Sequence, residues 1–172
     1  MTILIFAAAA LCRADGFDYS SLFNPQNLRQ LNTTYRTPDG RPVFDISTES
    51  MSIDSRRKLW GVSVPLVAIK NLRLSVHAQN LADAEISKIY TPRPFDISAS
   101  PLTLKIFGKK SVLTITASEA TVEPDNILRL SDDAQMSVGE KRVALGKGAT
   151  LRINGRVLYI SSAGAGNLGV RL

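Results

Sequence analysis

Val112-Leu-Thr-Ile-Thr-Ala-Ser-Glu-Ala-Thr-Val-Glu-Pro-Asp-Asn-Ile-Leu-Arg-Leu130 and Arg142-Val-Ala-Leu-Gly-Lys-Gly-Ala-Thr-Leu-Arg-Ile-Asn-Gly-Arg-Val-Leu-Tyr-Ile160 are two copies of one design. Ala120-Thr121-Val122 aligns with Ala149-Thr150-Leu151, an offset of 149 − 120 = 29 residues. In each copy a short apolar strand runs into a small residue, a second strand, an Asn-centred turn and a third strand. A fainter copy lies at Phe44-Asp-Ile-Ser-Thr-Glu-Ser-Met-Ser-Ile-Asp54, and Phe95-Asp-Ile-Ser98 respells its opening. A fixed period of this length predicts a stacked β architecture, in which each unit buries its apolar face against its neighbours. Such folds serve binding or conduit roles more readily than catalysis.

The remaining chain carries the same signals. Thr37-Pro-Asp-Gly-Arg-Pro42 is a turn, with Pro presetting one dihedral and Gly supplying a positive φ. It separates Thr33–Arg36 from Val43–Ser47 and predicts a hairpin. Leu59–Ile69 is an apolar run broken by Pro65, which cannot donate to a ladder and so predicts an edge position or a bulge. Leu72, Leu74, Val76 and Ala78 alternate with Arg73, Ser75 and His77, the period of a half-buried strand. Leu102, Leu104 and Ile106 alternate likewise. Turns are expected at Gly108-Lys-Lys110, Pro124-Asp-Asn126, Gly139-Glu140 and Asn154-Gly155. Asn24-Pro25 followed by Leu28 and Leu31 predicts one short helical turn. Gln79–Tyr90 reads as strand or irregular. Ser161–Leu172 is Gly/Ala-rich and reads as loose chain or a weak final strand. The expected fold is therefore all-β, a jelly roll or twisted two-sheet sandwich of short antiparallel strands, in one domain over 15–172.

The chain has 172 residues and a formal net charge of +6, which favours anionic partners. Aromatic residues make up only 6%, and no basic run is interleaved with them, so nucleic acid is not an expected partner. Cys12 is the only cysteine, which excludes an intrachain disulfide and a thiolate metal cluster. The apolar run from Ile3 to Cys12 is too short to span a bilayer, which takes about 20 residues. It has the length of a signal-peptide core, with Cys12-Arg-Ala14 as a cleavage site. Residues 1–14 are read as a signal peptide; a membrane-anchor remnant or a buried first strand are the other readings. Export without disulfides fits a bacterial periplasm.

Motifs for chemistry are weak. Gly164-Ala-Gly-Asn-Leu-Gly169 spells a dinucleotide fingerprint, but only three residues follow it, too few for the helix and second strand such a site needs. Asn32-Thr-Thr34 spells a glycosylation acceptor and reads as chance. Glu119 with Glu123, and Asp132 with Asp133, lack further ligands at loop spacing. His77 is the only histidine and reads as a surface or rim residue. No catalytic set assembles, no cofactor or metal is expected, and the reading is non-enzymatic.

Alternation gathers Ile46, Leu74, Val76, Leu104, Ile106, Leu113, Ile115, Leu128, Leu130, Leu151 and Ile153 on one face. Lys109, Lys110, Lys141, Arg142, Lys147, Arg152 and Arg156 cluster at strand ends and turns. By pattern alone this is a sandwich core with solvated turns. It is also the complement of an amphiphile with acyl chains and phosphates.

Thr114–Val138 resembles the repeating strands of the OstA/LptA/LptC β-jellyroll proteins. Asp39–Met51 is similar to the start of an LptC periplasmic domain, and the likeness covers roughly Asn32–Ser161. The resemblance implies a periplasmic component, associated with the inner membrane, that moves lipopolysaccharide towards the outer membrane. The eleven apolar residues would line its lipid path. Other jelly-roll transport proteins would join edge to edge, beside an inner-membrane transporter complex. The chain departs from LptC in lacking a spanning helix at Ile3–Cys12. The alternative from the residues themselves is a structural or adhesive repetitive β protein with a filled core.

Overall fold

A computed structural model describes residues 28–57, 63–81, 96–122, 127–154 and 156–171. The expected leader 1–14, the start of the helical turn at Asn24-Pro25, Trp60 and the turn at 124–126 lie outside these residues, as do residues 82–90 of the ambiguous segment. The strands are β1 (Leu28–Arg36), β2 (Pro42–Arg57), β3 (Ser63–His77), β4 (Asp96–Phe107), β5 (Val112–Ala117), β6 (Ala120–Val122), β7 (Leu128–Leu130), β8 (Gln135–Val138), β9 (Lys141–Ala144), β10 (Thr150–Asn154), β11 (Val157–Ser162) and β12 (Gly166–Arg171). The only helical turn among the described residues is a 3-10 turn over Ala78–Asn80. The chain is all-β.

All twelve strands belong to one mixed sheet that forks at β4. The end of β4 pairs with β5 (Leu102↔Ala117 to Phe107↔Val112), and beyond β5 come β8 and β9. The start of β4 pairs with β6 (Ile97↔Val122 to Ala99↔Ala120), followed by β7, β10, β11 and β12. On the other side, β3 runs parallel to β4, with β2 and β1 antiparallel beyond it. The sheet is thus two leaves joined along a crease.

The crease is visible in the burial pattern. In β4 the buried apolar residues are Ile97 and Ala99 before Ser100-Pro101, a cis pair, and Leu102, Leu104 and Ile106 after it, with Asp96 buried as well. The parity changes from odd to even. In β3 it changes between Ile69 and Leu72, where Asn71 has φ 54. In β2 it changes between Thr48 and Met51, and Gln30 of β1, beside Glu49, also has φ 54. One residue out of the alternation in each strand, with the register unchanged on either side of it, bends the chain and moves the following side chains to the opposite face. Applied to every strand along one line, it folds the sheet and keeps apolar side chains inside both leaves. They form a single core cluster.

Further along, the crossing chain is broken: β5 turns into β6, β7 into β8 and β9 into β10. Backbone hydrogen bonds follow the crease from corner to corner. Ser131 N donates to Glu119 O (2.9 Å), Leu145 N to Ala134 O (2.8 Å) and Gly164 N to Leu145 O (2.9 Å). Side chains lock the first corner. The Asp133 carboxylate accepts from Ser118 N (3.2 Å), Ser118 Oγ (2.9 Å) and Ser131 Oγ, while Glu119 N donates to Ser131 Oγ (3.1 Å). The Ser131 hydroxyl, together with the Ser118 groups, holds the Asp133 carboxyl below its ordinary value.

The 29-residue repeat acquires a geometric meaning. β5 and β9 start at Val112 and Lys141, and β7 and β11 at Leu128 and Val157, each pair 29 apart (141 − 112 and 157 − 128). β6 and β10 flank β7 at the same height: Val122 and Leu151 both face Leu128, and Thr121 and Thr150 both face Arg129. Equal spelling gives equal register on a shared neighbour.

Three expectations change. Leu28 and Leu31 lie in strand β1, not a helical turn, because pairing with β2 satisfies their backbone. Of the two readings of the tail, loose chain gives way to the final strand, β12, paired with β11 from Val157↔Arg171 to Ser162↔Gly166. The β3–β4 pair is parallel, so the sheet is mixed, and β2, β3 and β4 run 16, 15 and 12 residues. Pro65 sits opposite Ser55 of β2, just before pairing with β4 begins at Leu66, so it lies at the end of the β3–β4 ladder.

Candidate functional site

The interior is built from cross-strand rows. One leaf carries Ile46, Leu74, Leu104, Ile115, Met136 and Val143, each opposite the next, on β2, β3, β4, β5, β8 and β9. The other carries Ile53, Val67, Ile97, Val122, Leu128, Leu151, Ile160 and Leu168 across eight strands. Burying each such side chain contributes roughly 1.5–3 kcal/mol, so the rows dominate the stability of the leaves. They stay apolar to their last strand, where the end residues emerge: Val143 is 38% exposed, Leu168 37% and Ile53 37%.

All eleven residues expected on the apolar face lie in this interior, none more than 6% exposed. Phe44, Leu72, Ile97, Leu102, Val122, Leu145, Leu158 and Ile160 join them and were not on that face. Phe44, Leu72 and Leu102 continue alternations that the eleven already mark, whereas Leu158 and Ile160 alternate on β11, to which none of the eleven belongs. Ile97 and Val122 sit across the crease from neighbours of opposite parity, and the signal for them is a small or polar pair, Ser100-Pro101 or Ser118-Glu119, at which the alternation restarts.

At the end away from the crease, residues 78–81 tie the leaves together. Asn80 Nδ2 donates to Pro42 O (2.7 Å) and Arg156 Nη2 to Leu81 O (3.2 Å). Ala78 and Leu81 are buried. Arg156, expected on the rim, is half-buried at this bridge, whereas Lys109, Lys110, Lys141, Arg142, Lys147 and Arg152 are exposed.

The outer face of the first leaf is polar. His77 is half-buried: Nε2 lies 2.8 Å from Asp45 Oδ2, and the ring stacks on Phe107 with centroids 4.9 Å apart. Thr34 Oγ1 donates to Asp45 Oδ1 (2.7 Å). Burial pushes the Asp45 carboxyl up, but the bonds from His77 and Thr34, with the charges of His77 and Arg36, outweigh it and hold the group below its ordinary value. The group is a cross-strand clasp: His77 of β3 holds Asp45 of β2, which takes Thr34 of β1.

The three glycines of the nucleotide-like motif have structural roles. A Cβ on Gly164 would lie 2.2 Å from Ala144 O, Gly166 has φ 68 in the β11–β12 turn, and Gly169 lies beneath Val157 and Tyr159. Among the described residues no group of three or more His, Cys, Asp or Glu side chains is placed to hold a metal ion, and no helix is long and apolar enough to cross a membrane. No protein-family model matches the chain, and no curated protein matches it.

Proposed function

We propose that this protein is a non-enzymatic periplasmic carrier or bridge component. Its apolar interior takes lipopolysaccharide, or a similar anionic amphiphile, on the way from the inner to the outer membrane. The observation that carries the reading is the pair of aliphatic rows, which continue without a polar break from β2 to the end strands β9 and β12. Exposing acyl chains costs about 0.8 kcal/mol per methylene, so a carrier needs continuous apolar lining of this kind. Among the described residues strands β1, β9 and β12 end the sheet, where a further jelly-roll strand would extend it. Exposed Lys109, Lys110, Lys141 and Arg142 at the turns supply a basic rim for phosphates.

A photo-crosslinking residue at Leu104 or Ile115, which face inward, is expected to capture lipopolysaccharide. One at Lys105 or Thr114, on the outer face, is not. Equal capture at both parities would overturn an interior site. Binding should weaken only in part at high salt, because ionic contacts are screened over about 8–10 Å and apolar burial is not.

A second reading, a structural or adhesive β module, draws on the closure of the interior around its own side chains, with Val76, Ile115 and Leu151 at 0% exposure. Native mass spectrometry separates the two: a carrier co-purifies with lipid, and a filled module does not.

A further inference from the structure

We propose that the outer face of the first leaf holds a binding site for an anionic saccharide, formed by β1, β2 and β3. The register places Asn32, Ser47 and Arg73 side by side in one cross-strand row, and Thr34, Asp45 and Ser75 in the next. Neighbouring strands stand about 4.8 Å apart and same-face residues about 6.8 Å apart along each strand, so the six side chains form a flat lattice. With Thr33 and Ile46 they line a depression of about 330 Å3. That volume falls in the lower range of small-ligand sites, about 300–1,000 Å3.

The chemistry of the lining selects the ligand class. Its amide and hydroxyl groups both donate and accept, as sugar hydroxyls do, and an acyl chain would leave them unpaired. Asp45 is fixed in place, one oxygen on Thr34 and the other on His77, which is itself stacked on Phe107. It offers its remaining lone pairs as preset acceptors, and preorganisation of this kind lowers the cost of binding. Arg73 is exposed and makes no ion pair among the described residues. Its planar fork of donors fits a carboxylate through two parallel bonds. Lys105, opposite Ser75 on β4, adds a second positive charge beside the lattice. Two cations against one engaged carboxylate favour an acidic sugar over a neutral one. The site lies on the opposite face from the apolar interior and does not rest on the lipid reading.

Titration of the full chain by calorimetry with tri-galacturonate, maltotriose and inorganic phosphate tests this. Saturable binding of tri-galacturonate, tighter than either control, is expected. Arg73→Gln should weaken it about tenfold or more, the loss of a charge-assisted pair. Ser47→Ala should weaken it less, and Thr116→Val, on the same face of β5, should leave it unchanged. All three positions are solvent-facing, and an unaltered thermal midpoint confirms that each variant folds. Absence of tri-galacturonate binding, binding that survives Arg73→Gln, or equal binding of maltotriose or phosphate would overturn the proposal.

Discussion

β4 and the chain from Val112 to Val122 cross the same crease in different ways. β4 crosses as one unbroken strand, with Ser100-Pro101 taking up the change of parity while both halves stay paired. β1 and β3 do the same through Gln30 and Asn71 at φ 54. The second chain breaks into β5 and β6, and its corner is held from outside by Ser131 and Asp133. A strand with partners on both sides can carry a single irregular residue, because the ladder on either side fixes it. Short strands of three to six residues have little ladder to spare, so side chains and close backbone packing must set the corner.

The largest effect should come from Gly164. Its site beside Ala144 O leaves no room for a methyl group, so Gly164→Ala must push the β11–β12 hairpin off the crease, at about 3 kcal/mol in urea denaturation. Gly148→Ala, at φ +73 with open space around it, should cost only about 1 kcal/mol. Equal losses would mean that steric closure at the crease is not what distinguishes the broken corners.

The unbroken crossings should respond to backbone shape. Asn71→Val places a β-branched residue at φ 54 and should cost about 1–2 kcal/mol, whereas Asn71→Gly should be neutral or slightly stabilising. A loss in both variants would show that the Asn71 side chain, and not its backbone, shapes the bend.

Acid should affect both kinds of region. Asp133 at a corner and Asp45 between long strands are each held below the ordinary value of 3.8. A depressed folded-state pKa means that the unfolded chain binds more protons in this range, so stability is fully present above 3.8 and falls as pH drops through the folded values. Denaturation midpoints of Asp133→Asn and Asp45→Asn should therefore lie below wild type near neutrality and converge with it under strong acid. A gap that persists in acid would assign the loss to packing instead.

The smallest effect is expected from Glu49→Gln. Its ion pair with Lys70 spans the crease at 2.8 Å, but the two side chains are 49% and 64% exposed. The change should stay within about 0.5 kcal/mol and vanish in salt. A larger shift would add charge pairing to the means by which long strands bend.

Period-two alternation determined that this chain is all-β, and it determined the inward face of each strand from Ile46 to Ile153, because a half-buried strand must alternate. The 29-residue spelling marked the units that share a neighbour, since identical patterns seek identical registers. Turns at Gly40, Gly108 and Gly139 were equally local and equally legible. The crease was only partly so: each irregular residue interrupts the alternation, but a single strand cannot show that Gln30, Asn71, Pro101 and Ser118 fall on one line. That alignment depends on registers between distant segments, as does the parallel pairing of β3 with β4. Phe44-Asp-Ile-Ser47 and Asp96-Ile-Ser98 make the point at one residue type. Asp45 is half-exposed and clasped by His77, whereas Asp96 is fully buried. Identical local spelling fixes the strand and its parity; which leaf it joins, and what stands opposite, are set by the rest of the fold.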